Sequence, residues 1–577
     1  MLRGPEARLR LISLLMVAVL SLIVAQLVRL QIFEHAAYHA EVERLVERQY
    51  GLPDPPWGCI RDRNGDLLVG NIPTYDVGAD LKFVSDPAQA ARHLSPLLNQ
   101  TQESLLKKLR LQPGEEDNDI VWRSLAKNVP AEAVEKITAL EYSWITLTPT
   151  WERYYVEGAL AAHILGFVNA DGYGYGVQAY QLRLLQGERI QNIGDVTGGS
   201  APMPQVIAGD RGVPYPGTDL RLTIDRTVQA YVEGELEKAL LEYNAASGSI
   251  LIMNPQTGAI LAMASSPAYE PSRYAEYAAE GQADRFQNPA VSQAYEPGSV
   301  FKVVTVAAAL DSEQADLDWS YEDKGALEYG GVIVRNWDRA AYGRQDLGGV
   351  LKNSLNVGVS TLSTRVLGPD LFYRYLRRFG FGQATGIDLS GEAAGLMHVP
   401  SDWDWVDSFL ATNAFGQGIA VTPLQMGAAV AAIANDGVMM QPYVVAERRY
   451  PDGRSVPIHP KPLGQVISPE TAEAVSELMV QALSDKAAVP GYRIAGKTGT
   501  AQIPGVGGYE PDQVIASFVG FGPLPNPEIL VLIKLDRPEV SPDMRWGSQT
   551  AAPLFQKVAS RLFVLLGVPP SDLLAQQ

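Results

Sequence analysis

The stretch Tyr295-Glu-Pro-Gly-Ser-Val-Phe-Lys-Val-Val-Thr-Val-Ala-Ala-Ala-Leu310 reads as a tight turn that runs into a buried helix. Pro297 and Gly298 make the turn, which puts Ser299 in the first helical turn, near the positive end of the helix dipole. Ser299 and Lys302, three residues apart, share one helical face. Residues 303–310 are apolar nearly all round, so the helix is buried. A lysine in its first turn is desolvated there, which lowers its pKa and lets it act as a base. A second Ser-x-x-Lys, Ser104-Leu-Leu-Lys107, lies between Gln102, Glu103 and Lys108 and reads as an exposed amphipathic helix without that property.

Two further motifs follow in order. Ser354-Leu355-Asn356 is the only Ser-x-Asn in the chain. Alone it reads as a turn or cap. Beside a serine nucleophile, its hydroxyl can pass a proton to a leaving amine, and its amide can hold both Lys302 and a substrate amide. Lys497-Thr498-Gly499-Thr500 reads as a strand between small residues, Ala495, Gly496 and Ala501. Gly499 permits a close backbone approach, and an ammonium with two hydroxyls suits a carboxylate. In this order the three motifs supply a nucleophile, a base, a proton relay and an anion clamp, a set for acyl transfer through a serine ester.

The surroundings define a domain. Leu222-Thr-Ile224 is strand-like, Asp225 is placed to cap a helix, and Val228, Val232, Leu236 and Leu240 give that helix one apolar face. Residues 249–253 and 259–264 are apolar strands joined by the turn Asn254-Pro-Gln-Thr-Gly258, and 514–522 with 529–535 form a second hairpin. A helix over 551–565 closes the domain, and the segments between the hairpins read mostly helical. The fold class is multidomain α+β, with an antiparallel sheet, terminal helices packed on it and a helical insert. A chain of 577 residues is too long for one core. The Gly- and Pro-rich residues 209–217 mark a boundary, and a mixed α/β region precedes them.

Composition excludes several classes. A net charge of −18 argues against a nucleic-acid partner. Six scattered histidines form no ligand motif, so no metal and no cofactor is expected. The single cysteine, Cys59, excludes an internal disulfide and reads as a small buried hydrophobe. At the N-terminus, Arg3, Arg8 and Arg10 precede an apolar run of 18 residues, 11–28. That is enough to cross about 30 Å of hydrocarbon at about 1.5 Å per residue, and it is longer than the apolar core of a signal peptide. A retained anchor is expected, with the basic leader in the cytoplasm and the rest of the chain outside.

The chain resembles class B penicillin-binding proteins. The three motifs carry the resemblance, with Leu355 where class A β-lactamases have Asp. Phe381-Gly382 with Thr385-Gly-Ile-Asp-Leu389 and Glu392, Gly416-Gln-Gly418 with Thr422-Pro-Leu-Gln425, and Trp546-Gly547 with Ala551-Ala-Pro553 extend it. Upstream, Ile60-Arg-Asp-Arg-Asn-Gly65 and Ala161-Ala-His-Ile-Leu-Gly166 resemble the family's non-catalytic pedestal. Two positions depart from it: Trp57-Gly58 stands for Arg-Gly, and Gln178 stands for a Glu. The resemblance implies a leader and anchor over 1–31, an elongated pedestal of dimerisation type over 32–216, a transpeptidase domain over 217–566 and a tail over 567–577.

It also implies roles. Ser299 would be the acylated nucleophile, Lys302 its base, Ser354 the proton relay and Asn356 the group that positions the stem peptide. Lys497, Thr498, Gly499 and Thr500 would bind the substrate carboxylate, with the Ser299 and Thr500 backbone N–H groups as oxyanion hole. The implied reaction is D,D-transpeptidation of peptidoglycan stem peptides ending in D-Ala-D-Ala, with β-lactams as covalent inhibitors. The implied partners are a polytopic membrane glycosyltransferase and other division or elongation proteins. The implied location is the outer face of a bacterial cytoplasmic membrane. Gly166-Phe-Val-Asn-Ala-Asp-Gly172 and the chain length favour the septal type over the elongation type. The rival class is a β-lactamase or β-lactam receptor: a β-lactamase would need a Glu-bearing loop to activate the deacylating water, none is apparent, and the long pedestal would be superfluous to either; a decayed scaffold would not keep all three motifs.

Overall fold

The computed structural model describes Met16 and residues 55–115, 121–169, 171–190, 213–505 and 507–571. Apart from Met16, the expected anchor over 11–28 lies outside the described residues, as does the charged helix expected after it. Among the described residues no helix is long and apolar enough to cross a membrane.

The chain divides into two compact units that do not follow chain order. One draws on residues up to Trp57, Asn71–Arg153 and Gly187–Pro216; the other draws on Gly58–Gly70, Tyr154–Gln186 and Gly217–Gln577. Two segments inside the expected pedestal, Gly58–Gly70 and Tyr154–Gln186, therefore belong to the unit that carries the three motifs. Backbone pairing is one reason: Ile60 and Arg61 run parallel to Leu220 and Arg221.

In the first unit, residues 74–80 of one strand pair antiparallel with Trp122–Pro130, in the register Tyr75 to Val129 and Ala79 to Arg123. Helices Pro87–Leu98, Gln102–Leu109 and Ala131–Thr138 turn Leu94, Leu105 and Ile137 into one core with Val77, Leu125 and Trp144. Asp86 caps the first helix by accepting from the backbone N–H groups of Ala88 and Gln89. Ser104 and Lys107 sit on the exposed face of the second, as their polar flanks dictate. Trp57, in place of the expected Arg, carries the Arg153 guanidinium 5.5 Å above its ring.

The second unit is built on an antiparallel sheet. Helix α1 (Arg226–Glu242) is capped by Asp225, which accepts from Thr227 and Val228 N–H. Strands β1 (Ser247–Met253) and β2 (Ile260–Ser266) form the first hairpin. Helix α2 (Lys302–Asp311) follows the nucleophile turn, and α3 (Leu347–Lys352) and α4 (Asn356–Thr361) flank Ser354. Helices α5 (Pro423–Ala434) and α6 (Pro469–Gln481) come before β3 (Ala495–Gly505), β4 (Gly508–Gly522) and β5 (Ile529–Asp536). Helix α7 (Ala551–Leu565) follows β5.

The strand order is β3-β4-β5-β1-β2, so β3 is an edge strand. Val228, Val232 and Leu236 of α1 and Phe555 and Phe563 of α7 bury one sheet face with Ile250, Phe518 and Ile533. On α5, whose residues are all buried, Gly427 lets Leu251 of β1 come close. Covered on both faces, β1 and β5 read as near-continuous apolar runs rather than alternating ones.

Two details differ from expectation, and a third explains a departure already visible in the sequence. The region between the hairpins also holds short ladders, Ser320–Asp323 with Gly343–Asp346 and Ala326–Tyr329 with Val332–Arg335. Cys59 is only half-buried. Gln178, in place of the expected Glu, is buried and donates from Nε2 to Tyr155 Oη (2.8 Å) and Gly166 O (2.7 Å), which a carboxylate could not do.

Candidate active site

Ser299 sits in a single 3-10 turn, Gly298–Phe301, and the α-helix begins only at Lys302. The sequence placed Ser299 inside the α-helix. The tighter turn follows from Gly298, whose φ of +59° is costly for other residues. The turn is laced to a neighbouring loop: Tyr295 and Val421 exchange backbone hydrogen bonds of 2.9 Å, and Gly298 N donates to Gly416 O at 3.0 Å. It also abuts the edge strand, because a Cβ on Gly298 would lie 2.8 Å from Thr500 O.

Lys302 is fully buried. Burial and the neighbouring Lys497 ammonium hold its pKa well below the ordinary lysine value. Its Nζ donates to Ser354 O (2.5 Å) and Ser354 Oγ (3.1 Å). A neutral amine has two N–H bonds and one lone pair, so these two contacts leave the lone pair free. Lys497, 2% exposed, is brought down to about 8 by burial. Its Nζ donates to Ser354 Oγ (3.2 Å) and to Thr498 O (3.2 Å). The Ser354 hydroxyl thus accepts from both lysines, and its own hydrogen remains available. Ser354 can offer carbonyl and hydroxyl to the same amine because its φ is +54°, a left-handed conformation that strains a side-chain-bearing residue.

Asn356 differs from expectation. It opens α4, but its Nδ2 donates to Arg335 O at 2.9 Å instead of holding Lys302, whose two donors Ser354 already occupies. Gly499 also differs in detail. A Cβ there would overlap Ser517 Oγ and lie 2.9 Å from Val300 Cγ1, so the missing side chain accommodates the protein's own turn and its neighbouring strand. Thr500, opposite Ala516, accepts at Oγ1 from Gly547 N at 3.1 Å, which leaves its hydroxyl hydrogen unused.

Ser299, Ser354, Thr498, Gly499 and Thr500 line one cavity of about 470 Å³. Lys302 and Lys497 lie behind that lining. Trp337, Tyr342, Lys352, Asp543 and Trp546 line it too; only Trp546 belongs to a motif named in the sequence, and none of the five was read as a site residue. Trp337 and Trp546 meet edge to face, ring centres 5.8 Å apart, and are 58% and 36% exposed. A tryptophan among polar neighbours, Asn336 and Asp338, was the available signal for Trp337. Elsewhere, His398, Asp402 and Asp404 approach within 4.8 Å of one another. His398 Nδ1 pairs with Asp404 (3.1 Å), and Asp402 accepts from Val399 N (2.9 Å).

Comparison with known proteins gives this arrangement its family. Residues 248–560 match the penicillin binding protein transpeptidase domain, and residues 53–196 match the penicillin-binding protein dimerisation domain. The chain belongs to the class B penicillin-binding proteins. It is an enzyme of the serine-type D,D-transpeptidase class. This penicillin-binding protein is 34% identical to stage V sporulation protein D of Bacillus subtilis, over 90% of this chain and 79% of that one. It is 29% identical to the probable peptidoglycan D,D-transpeptidase PenA of Neisseria gonorrhoeae, over 98% and 94% of the two chains. Its fold is similar to penicillin binding protein 3 of Mycobacterium tuberculosis complexed with aztreonam, with a TM-score of 0.67 and 28% identity, covering 90% of this chain and 98% of that one.

Proposed function

We propose that this chain cross-links peptidoglycan stem peptides through an acyl ester on Ser299, in septal wall synthesis, and that β-lactams trap the same serine. The observation that carries the reading is the buried Lys302, whose two amine hydrogens are taken by Ser354 one helical turn from Ser299. Neutral Lys302 accepts the Ser299 hydroxyl proton as Oγ attacks the carbonyl of the penultimate D-Ala. The oxyanion is held by the Ser299 and Thr500 backbone N–H groups. Collapse breaks the C–N bond, and the departing D-Ala amine takes a proton from Ser354 Oγ, which Lys302 resupplies. Lys497, Thr498 and Thr500 bind the donor's terminal carboxylate, and Asn356 positions the stem peptide. An acceptor amine then attacks the ester, gives up a proton to the same base, and Ser299 leaves as the alcohol.

We further propose a single-pass anchor over 11–28 with the catalytic unit on the outer face of the cytoplasmic membrane. The basic leader and the apolar run support it. The pedestal over 32–216 and the anchor are the surfaces for a polytopic glycosyltransferase and other division proteins. Intact mass after incubation with penicillin tests the chemistry. One stable adduct, absent from Ser299→Ala, is expected; rapid penicillin turnover would make the chain a β-lactamase, and no adduct on folded protein would make it a scaffold. Depletion tests the septal role: filamentous cells support it, and rounded cells support elongation.

A further inference from the structure

Glu296 lies three residues before Ser299 and is 9% exposed. Its carboxylate joins three separate segments. Oε1 accepts from Gly418 N at 2.8 Å, in the loop already laced to the nucleophile turn. Oε2 accepts from the Tyr509 hydroxyl at 3.1 Å. Tyr509 stands on β4 opposite Pro504 of β3, on the hairpin whose other end carries Thr498 and Thr500. Burial raises the carboxyl pKa, opposed by these two donors. An apolar residue would escape that desolvation but could receive neither donor. A carboxylate presents one acceptor oxygen to each; a Gln amide could keep both contacts only with the Tyr509 hydroxyl turned to accept.

We propose that Glu296 is a positioning residue: through Gly418 and Tyr509 it fixes the nucleophile turn against the β3–β4 hairpin, and so sets the distance between Ser299 and the substrate carboxylate held by Thr498 and Thr500. The inference rests on the Ser299 acyl-enzyme reading above. It assigns Glu296 no contact with substrate. The expected signature is a slower chemical step with little change in non-covalent binding, because misplacement of the nucleophile acts on the geometry of attack.

The test is acylation of the purified full chain by a fluorescent penicillin. The acylation rate constant and the pre-covalent dissociation constant are resolved, and active sites are titrated. Tyr509→Phe should slow acylation about tenfold and Glu296→Ala about a hundredfold, each with less than about a threefold change in pre-covalent affinity. The double variant should be no slower than Glu296→Ala, because the Tyr509 hydroxyl acts only through the carboxylate. Glu296→Gln, which keeps an acceptor for Gly418 and a polar group for Tyr509, should recover most of the rate. Additive losses in the double variant overturn the proposal. So does unchanged acylation in Glu296→Ala, or a loss seen only as fewer active sites. Glu296→Gln as slow as Glu296→Ala overturns it as well, because charge would then be the operative feature. Absence of any adduct on the wild-type chain would instead refute the Ser299 reading, so the two failures are distinct.

Discussion

Replacing Lys497 with methionine should make the enzyme slower and more stable at once. Burial lowers Lys497 from its ordinary 10.5 to about 8. A displacement of that size means that the charged lysine destabilises the folded state by roughly 3 kcal/mol at neutral pH. Methionine is unbranched and fills similar volume, but it gives up the bonds to Ser354 Oγ and Thr498 O, about 1 kcal/mol each. The net expectation is a gain of about 1 kcal/mol. The folded pKa lies below the unfolded one, so the unfolded chain binds more protons between about pH 8 and about pH 10.5, and wild-type stability rises with pH across that window. From about pH 7 to about pH 9 the titration of Lys497 itself should add about 1 kcal/mol to the wild type, a contribution Lys497→Met lacks apart from what its own Lys302 adds as that pKa rises. Denaturant midpoints of both chains at the two pH values measure this. Acylation of the variant should fall about a hundredfold. Its acid limb should move to higher pH, because removing the neighbouring ammonium lets the Lys302 pKa rise. A variant clearly less stable than the wild type at neutral pH would refute the reasoning.

Ser354 separates strain from chemistry. Its φ of +54° favours glycine, so Ser354→Gly should be about 1 kcal/mol more stable than Ser354→Ala by thermal melting, while neither turns over stem peptide. Gly499→Ala should lower stability by about 1–3 kcal/mol and slow acylation, because its methyl group must displace Ser517 or the nucleophile turn at Val300; a variant with the wild-type melting point and acylation rate would contradict that packing.

What the sequence conveyed was local. Asp225 announced the cap of α1, and Val228, Val232 and Leu236 announced its buried face, because capping and helical periodicity act within a few residues. The apolar run after Lys302 announced a depressed lysine for the same reason. What stayed hidden depends on chain closure. The Arg335 carbonyl that takes the Asn356 amide comes from another segment, and nothing near Asn356 in sequence encodes its arrival. Trp337 and Asp543 reach one cavity from positions far apart in the chain. The start of α2 at Lys302 is not legible in sequence, because periodicity cannot tell one 3-10 turn from an α-turn.

Ser354 shows why the three motifs must coexist. Two lysines from different elements, one opening a helix and one on an edge strand, are each expensive to bury. Each finds a hydrogen-bond acceptor at the same hydroxyl, so removing Ser354 leaves both short of a partner. Each lysine's charge also disfavours the other's, and the buried pair reaches its lowest energy when one of the two is neutral. Lys302 is the more suited to be neutral: it is fully buried and is the one whose pKa the other's charge further lowers. The base next to Ser299 is therefore produced by the fold as a whole, and a Ser-x-x-Lys lacking the other two motifs, such as the exposed pair at Ser104 and Lys107, has no means of producing it.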